Sequence, residues 1–162
     1  MPKERNPSRI RTIGVISDTH GLVRPEVLKA FRGVDLIVHA GDVGDPGVLD
    51  ILGAVAPVVA VRGNVDRGDW ARDLQASEVV KASECRLYIL HDVNQLDLDP
   101  AAAGFDAVIS GHSHSPSMET RREVLFLNPG SAGPRRFRLP VSVALLRLEG
   151  KFLAAKVIEL RV

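Results

Sequence analysis

The chain has 162 residues, of which 45% are hydrophobic and 25% charged, and its formal net charge is +1. This composition is ordinary for one globular domain, and the near-neutral charge offers no broad basic surface for a nucleic acid polymer. No apolar run approaches the roughly 18 residues needed to span a bilayer, so we expect no membrane association.

Two further features bear on compartment and domain limits. Cys85 is the single cysteine and lies in an apolar stretch, which predicts a reduced, buried thiol in an intracellular protein. Residues 1–9 are charged and interrupted by proline, and no apolar core of secretory length follows them. We therefore expect a cytoplasmic protein with a flexible N-terminal tail at 1–9 and a single domain at 10–162.

Strands and helices alternate in the first part of the sequence. Residues 10–17 and 35–40 are short apolar runs, and each precedes a loop and a helical pattern. Helices are predicted to begin near Pro25 and Pro46, because proline favours the first helical turn. A third apolar run, 57–61, ends in an irregular loop. This alternation predicts parallel strands joined by helices.

The rest of the sequence is richer in strands. Residues 79–90 have the pattern of a hairpin, residues 100–104 that of a short helix, and residues 105–110 that of another buried strand. The last third contains three β-rich runs that we expect to pair as an antiparallel group: 124–127, 141–148 and 152–160. The whole pattern predicts an α/β fold of the four-layer α+β kind, in which a two-sheet β-sandwich is flanked by helices.

Polar residues stand within a residue or two of the ends of these apolar runs. They are Asp18, His20, Asp42, Asn64, His91, His112 and His114. Because parallel strands bring their carboxyl ends to one edge of a sheet, residues far apart in sequence can converge there on one site.

The types of residue in this set indicate a metal site. Carboxylate, imidazole and amide ligands suit first-row divalent ions such as manganese, iron or zinc, whereas the absence of clustered cysteines argues against a structural zinc site. A single histidine at a strand end is more often structural, but four such histidines with two aspartates and an asparagine favour metal binding. His39 lies inside an apolar run instead, which favours a packed core or supporting residue.

The sequence resembles the calcineurin-like metallophosphoesterases, most closely the small single-domain bacterial and archaeal phosphodiesterases. The resemblance extends from Ile13 to Ser131. The motifs that carry it are Asp18-Thr-His20, Gly41-Asp42, Gly63-Asn64 with Asp66, His91, Gly111-His112-Ser113-His114 and Asn128-Pro-Gly-Ser131. Five or more motifs in this order are far more specific than one of them alone.

The resemblance implies a division of the ligands between two divalent ions. Asp18, His20 and His114 would hold one ion, Asn64, His91 and His112 would hold the other, and Asp42 would bridge them. Asp42, Asn64 and His91 would also be the catalytic residues. We expect Mn²⁺ first, with Fe, Zn or Ni as alternatives.

The resemblance also implies an activity. We expect hydrolysis of a small phosphodiester or nucleotide-like substrate by in-line attack of a hydroxide that bridges the metals, and a homo-oligomer as in many relatives. Two alternatives remain: a phosphomonoesterase on the same dinuclear site, and a non-catalytic metal-binding scaffold like the retromer subunit of this fold. The complete set of ligands favours an enzyme over the scaffold.

The sequence departs from the family pattern at two positions. Val65 stands where many larger members have a histidine that is regarded as the proton donor to the leaving group, and valine cannot transfer a proton. Asp92 follows His91 where glycine is common, and its carboxylate could bind a cation, repel an anionic substrate or face solvent. Asp66 is expected to order its own loop through hydrogen bonds to the backbone.

Overall fold

The computed structural model describes residues 6–162, which form ten strands and two α-helices. The helices are α1 (Pro25–Ala30) and α2 (Pro46–Gly53). The strands are β1 (Thr12–Ile16), β2 (Leu36–His39), β3 (Val58–Ala60), β4 (Ser77–Ala82), β5 (Cys85–Leu90), β6 (Ala107–Ile109), β7 (Ser117–Arg121), β8 (Val124–Asn128), β9 (Ser142–Glu149) and β10 (Phe152–Glu159). No helix among these residues is long and apolar enough to cross a membrane.

The strands form two five-stranded mixed sheets. The first has the order β10-β9-β1-β2-β3, with β1, β2 and β3 parallel and β9 and β10 added as antiparallel strands. The second has the order β4-β5-β6-β8-β7, with β5, β6 and β8 parallel. The predicted two-sheet sandwich is therefore confirmed.

One hydrophobic core fills the space between the sheets. Alternate residues of the first sheet, such as Val15 and Leu146, pack there against Leu87, Ile89 and Ile109 of the second sheet. The opposite face of the first sheet packs against both α-helices. Gly14 is required on that face, because an added Cβ would lie 2.7 Å from the ring of Phe31.

The two α-helices do not flank both sheets. The outer face of the second sheet is covered by the segment after β5, where Leu96 and Ala101 pack beside Leu90, Val108 and Val124. Within the described residues this segment contains only a short 3-10 turn at 93–95. The helical layer is thus confined to the first sheet.

Two predictions of local structure were wrong. Residues 100–104 form a turn instead of a short helix, and Gly104, with a φ of +81°, ends it in the left-handed region. Strand β8 does not join β9 and β10 in an antiparallel group: it lies in the other sheet, parallel to β6 and antiparallel to β7. Strand β7 was not predicted, because all five of its residues are exposed.

The N-terminal region is described from residue 6 onward. Residues 7–9 form a 3-10 turn, and the carbonyl of Pro7 accepts a hydrogen bond of 2.7 Å from the backbone N–H of Ser83. Residues 1–5 of the predicted tail lie outside the described part of the chain, and the division into tail and domain stays a prediction.

Candidate metal centre

The loops that follow the parallel strands carry the predicted ligands. Asp18 and His20 follow β1, Asp42 follows β2, Asn64 follows β3, His91 follows β5, and His112 and His114 follow β6. The site therefore draws on both sheets, since the first sheet supplies four of these residues and the second supplies three.

The backbone at most of these residues is in the left-handed region. The φ angles are +55° at Asp18, +47° at His20, +55° at Asp42, +71° at His112 and +62° at His114. Residues with side chains adopt such angles rarely, although Asp and His do so more often than most. Such conformations persist where surrounding contacts enforce them, and they concentrate at functional sites.

Three of the predicted ligands form one compact group. Ligand atoms of Asp18, His20 and His114 all lie within 4.8 Å of one another. Asp18 Oδ1 lies 3.4 Å from His114 Nε2. This is the group that the resemblance assigns to the first ion.

A second group shares Asp18 with the first. Ligand atoms of Asp18, Asp42 and His91 also lie within 4.8 Å of one another. His91 Nε2 is 3.3 Å from Asp42 Oδ2 and 3.9 Å from Asp18 Oδ1. Asp42 Oδ2 is in addition 3.8 Å from His20 Nε2, so this oxygen faces one imidazole from each group.

In each of the two aspartates, one carboxylate oxygen accepts hydrogen bonds from the protein and the other faces the imidazoles. Asp18 Oδ2 accepts hydrogen bonds from Ser17 Oγ at 2.8 Å and from the backbone N–H of His112 at 3.0 Å. Asp42 Oδ1 accepts one from the backbone N–H of Val65 at 3.0 Å. Asp18 Oδ1, in contrast, is buried and has no hydrogen-bond partner.

The tautomer of His91 is fixed by its backbone contact. Its Nδ1 is 2.7 Å from the carbonyl oxygen of Ala40, and because a carbonyl only accepts, Nδ1 must carry the proton. In the neutral ring, Nε2 then directs a lone pair at the carboxylates of Asp18 and Asp42. This nitrogen is buried without a hydrogen-bond partner, so the arrangement requires a cation or a proton between these groups.

Burial and neighbouring charges shift the pKa values of the residues in these two groups. Burial raises the pKa of Asp18. Burial also acts to raise the pKa of Asp42, but His91 and the Val65 N–H lower it to about 2. Burial acts to lower the pKa of His91, and the neighbouring carboxylates and the Ala40 carbonyl raise it above its ordinary value. Burial lowers the pKa of His114.

His39 supports the loop that carries Asp42. Its Nδ1 accepts a hydrogen bond from the Gly41 N–H at 3.1 Å, and its Nε2 lies 3.0 Å from Thr19 Oγ1, which itself donates to the Val43 carbonyl. The ring is fully buried, and burial lowers its pKa to about 3. The expected supporting role of His39 is therefore confirmed.

Asp66 holds the same region from the other side. Its carboxylate accepts hydrogen bonds from the backbone N–H groups of Gly63, Val43 and Gly44 at 2.8, 3.2 and 2.9 Å. It therefore orders its own loop, as predicted, and also binds that loop to the one after β2. Gly63 allows the close approach, because an added Cβ would collide with the backbone N and Oδ1 of Asp42.

The turn after β8 supports the histidine loop after β6. Asn128 Nδ2 donates to the Gly111 carbonyl at 2.9 Å and to Ser113 Oγ at 3.0 Å. Ser131 Oγ donates to the carbonyl of Asp18 at 3.1 Å. This turn thus connects the Asp18 loop of one sheet to the histidine loop of the other.

Two predicted ligands lie at the exposed side of the site. Asn64 is exposed and lies between two residues that are close to Asp42. The backbone N–H of Val65 donates to Asp42 Oδ1, and a Cβ added at Gly63 would collide with Asp42. The side chain of His112 is 43% exposed, and its ring centroid is 5.1 Å from that of His91. Both residues border the buried groups, and their assignment as ligands stays a prediction.

Asp92 lies beside the exposed histidine. Its Oδ1 accepts a hydrogen bond from the Asn94 N–H at 3.0 Å, and its Oδ2 is 3.8 Å from His112 Nε2. Its carboxylate therefore lies next to a predicted ligand, and the choice among the roles considered for it stays open to experiment.

Sequence reasoning missed some residues that position the ligands. Ser17 donates to Asp18, and Thr19 links His39 to the loop after β2. Ser17 directly precedes the motif Asp18-Thr-His20 and Thr19 lies within it, but neither had been assigned a role. The contact between Asn128 and the histidine loop spans 17 positions, and the one between Ser131 and Asp18 spans 113, so neither follows from local patterns.

The residues present fit a divalent cation. The two groups offer carboxylate oxygens and imidazole nitrogens, which are ligands for first-row divalent ions. Buried atoms without hydrogen-bond partners include Asp18 Oδ1, His20 Nε2 and His91 Nε2, all of them potential ligand atoms. Buried polar atoms without partners are costly unless another group satisfies them.

Comparison with known proteins identifies the family. Residues 12–151 match the family model described as the calcineurin-like phosphoesterase superfamily domain. A probable metallophosphoesterase of Methanothermobacter thermautotrophicus is 39% identical over 159 residues, with 91% of each chain covered. A phosphodiesterase of Methanocaldococcus jannaschii is 28% identical over 137 residues, which cover 73% of this chain and 82% of the relative.

A solved structure has the same fold. The vacuolar protein sorting 29 protein of Cryptosporidium parvum superposes with a TM-score of 0.81 at 20% sequence identity, and the match covers 93% of this chain and 92% of the other. The extent of the family match and the identity to the M. thermautotrophicus relative agree with the motifs and the fold. The chain belongs to the calcineurin-like phosphoesterase superfamily.

Proposed function

We propose that this protein is a divalent-metal-dependent phosphodiesterase that hydrolyses small phosphodiesters or nucleotide-like molecules. The observation that carries the proposal is the convergence of unpartnered ligand atoms. Asp18 Oδ1 and His91 Nε2 are both buried without a hydrogen-bond partner and lie 3.9 Å apart. Cations bound at the two groups would satisfy both atoms, whereas without metal only a proton shared between these side chains could compensate them.

We assign the ligands to two ions. Asp18, His20 and His114 would hold the first ion, and His91 would hold the second together with Asn64 and His112, which border it. Asp42 would bridge the two. The position of Asp42 Oδ2 supports this role, because that oxygen lies 3.3 Å from His91 Nε2 and 3.8 Å from His20 Nε2. These two histidines are assigned to different ions.

Mn²⁺ is our first choice of metal, because the oxygen and nitrogen donors suit it and no thiolate is present to favour softer ions. Fe, Zn and Ni are also compatible with imidazole and carboxylate ligands. When bound, such ions would lower the pKa of a water molecule and offset negative charge on phosphoryl oxygens.

The protein would fix the positions of the proposed ligands and the tautomer of His91. The Ala40 carbonyl keeps the proton of His91 on Nδ1, so that Nε2 faces the carboxylates. His39 and Asp66 fix the loop around Asp42 through buried hydrogen bonds. Asn64 borders this loop, where its amide could orient a phosphoryl oxygen. These contacts hold the ligands in one arrangement before substrate arrives.

The proposal of a diester rests on two considerations. Val65 provides no acid for a leaving group, so esters whose leaving groups depart without strong protonation are favoured. The M. jannaschii relative at 28% identity is named a phosphodiesterase. A phosphomonoesterase on the same residues is the second candidate, because the metal ligands alone do not select between the two.

The proposal is tested with metal-stripped protein and two chromogenic esters, bis(p-nitrophenyl) phosphate and p-nitrophenyl phosphate. We expect added Mn²⁺ to restore hydrolysis of the diester, and Asp42→Asn to lower that activity by at least about 100-fold, since even indirect support of a metal ligand can contribute 10–100-fold. Asp45→Asn is the matched control, because Asp45 caps α2 through the Gly47 N–H instead of facing the imidazoles.

Each other outcome points to a specific alternative. Faster hydrolysis of the monoester would support the phosphomonoesterase. Two tightly bound ions per chain without turnover of either ester would support a non-catalytic metal-binding scaffold. Full activity in Asp42→Asn would contradict the bridging role.

A further inference from the structure

A cleft of about 420 Å³ opens beside the exposed end of the candidate metal centre. It lies on the second sheet, between the segment that follows β5 and strands β7 and β8. Its volume falls within the range of about 300–1,000 Å³ typical of small-molecule sites. None of the residues assigned to the metals, except His112, contributes to its lining.

The cleft borders the candidate metal centre at His112. His112 and Gly111 line it at one end, and the ring of His112 lies 5.1 Å from that of His91. Asp92 lines the same end, with Oδ2 3.8 Å from His112 Nε2. A phosphoester bound at the ligands would therefore have the mouth of the cleft next to it.

Farther from the candidate metal centre, the wall of the cleft consists of apolar side chains and the planar guanidinium of an arginine. Leu96 and Phe126 line the cleft and are only partly buried. The guanidinium of Arg121 lies 5.1 Å from the centroid of the Phe126 ring, and Glu119 holds it with a hydrogen bond of 2.8 Å. Aromatic rings and guanidinium planes are the surfaces on which nucleic acid bases stack.

The polar groups of the cleft suit an uncharged ligand. The side chains of Asn94 and Ser117 line it and make no hydrogen bond within residues 6–162. An amide can read both donors and acceptors on a base, and a carboxylate such as Asp92 accepts from sugar hydroxyls. The cleft is lined by two acidic residues, Asp92 and Glu119, and by one arginine, Arg121. This balance disfavours a second phosphate group.

We propose that this cleft binds the nucleoside part of a phosphoester whose phosphate lies at the metal centre. The inference rests on the proposed function and deepens it by selecting the nucleotide-like substrates and assigning a site to their nucleoside. The base lies against Arg121 and Phe126, and Asn94 and Asp92 form hydrogen bonds with the base and the sugar.

The first test compares two diesters that release the same p-nitrophenolate: the p-nitrophenyl ester of thymidine 5′-phosphate, and methyl p-nitrophenyl phosphate. We expect kcat/KM for the thymidine ester to exceed that for the methyl ester by about tenfold or more, because only the thymidine ester can form a stacking contact of the size typical for a base. Arg121→Gln and Asn94→Ala are expected to lower this ratio toward one while the methyl ester is hydrolysed at an unchanged rate.

Arg122→Gln is the matched control for Arg121→Gln. Arg122 is the next residue of the same hairpin, but it lies 3.5 Å from Asp99 and does not line the cleft. We expect this variant to keep the ratio of the wild type. A ratio near one in the wild type, or a ratio that neither Arg121→Gln nor Asn94→Ala changes, would overturn the inference and leave the proposed function intact.

A binding measurement separates the two proposals if neither ester is hydrolysed. Isothermal titration calorimetry of the Mn²⁺-loaded protein would compare thymidine 5′-monophosphate with methyl phosphate, which carries the same phosphate without the nucleoside. Tighter binding of the nucleotide that is lost in Arg121→Gln would support the cleft even without catalysis. Equal binding of the two phosphates would overturn it.

Discussion

At the scale of single residues, the two carboxylate oxygens of each central aspartate have different surroundings. Asp18 Oδ2 and Asp42 Oδ1 accept hydrogen bonds from the protein, and Asp18 Oδ1 and Asp42 Oδ2 face the imidazoles. A carboxylate held through one oxygen keeps its orientation when the other oxygen binds a cation. We therefore expect both aspartates to be needed for metal binding, because Asn would remove the negative charge from the oxygen that faces the imidazoles.

Val65 provides a test of proton supply to the leaving group. Its side chain is 44% exposed, while its backbone N–H donates to Asp42 Oδ1. We predict that Val65→His reduces the dependence of kcat on the acidity of the leaving group, so that a phenyl ester gains at least about tenfold relative to a p-nitrophenyl ester. The measurement is the rate of Mn²⁺-dependent hydrolysis for a series of aryl methyl phosphates.

Val65→Gln is the control for this substitution, because glutamine is polar and of similar length but cannot act as an acid. It should keep the dependence of the wild type. An equal dependence in the histidine and glutamine variants would mean that a side chain at position 65 does not reach the leaving group.

The ligands could be predicted from the sequence more readily than their supports. Asp18, Asp42 and His91 follow apolar runs, and that pattern reflects the local geometry of a strand end. The role of Asn128 could not be predicted in the same way, because its contacts with the histidine loop depend on how β8 lies beside β6. Tertiary contacts of this kind leave no periodic signal.

At the scale of elements, the approach of two loops depends on glycine. Gly63 follows β3 and lies against Asp42, and an added Cβ would collide with the backbone N and Oδ1 of that residue. We predict that Gly63→Ala displaces the Asp42 loop and lowers Mn²⁺-dependent activity by about 100-fold, since a displacement of 1 Å can have that effect. The measurement is kcat/KM for the diester together with manganese content per chain.

Gly53 provides the control, because it lies in α2 and nothing is within 4 Å of an added Cβ. Gly53→Ala should leave activity unchanged and raise the free energy of unfolding by about 0.5–1 kcal/mol, as alanine is favoured over glycine in helices. Normal activity and metal content in Gly63→Ala would contradict the proposed role of the close approach.

The errors in predicting elements have physical causes. Strand β7 has five exposed residues, so it lacks the alternation that marks a half-buried strand. Strand β8 is a short apolar run that does not reveal its partner, and its parallel pairing with β6 is decided by the path of the chain through the segment 110–123. The alanines at 101–103 favour a helix, yet Gly104 ends the segment after one turn.

At the scale of the whole molecule, the two sheets share one core, and the candidate metal centre lies where loops from both sheets meet. Cys85 belongs to this shared core and is buried, and burial raises the pKa of its thiol. The predicted buried thiol is therefore confirmed. The pairing of both sheets, rather than either alone, determines the distance between Asp18 and His91, which lie in loops of different sheets.

The position of Cys85 allows a test of this shared core. We predict that iodoacetamide labels Cys85 in native protein at a rate far below that in urea-unfolded protein, because the thiol is buried and burial raises its pKa. Mass spectrometry of samples taken over time measures the labelled fraction. Rapid labelling of native protein, at the rate of the unfolded chain, would contradict the burial of Cys85 in the shared core.

The overall architecture could be inferred from the sequence because strand and helix patterns in residues 10–61 are regular. The arrangement of the second sheet could not, since its strand order, β4-β5-β6-β8-β7, depends on long-range pairing. The candidate site is intermediate: its ligand types were predicted from local pattern and family resemblance, and the sharing of Asp18 between both groups became visible only in three dimensions.

The central claim is that Asp42 lies between two ions held by the loops of the two sheets. Anomalous diffraction from crystals of the Mn²⁺-loaded protein tests it most directly. We predict two manganese peaks per chain, one among Asp18, His20 and His114 and the other beside His91, with the carboxylate of Asp42 between them. A single peak, or two peaks that do not both contact Asp42, would contradict the claim.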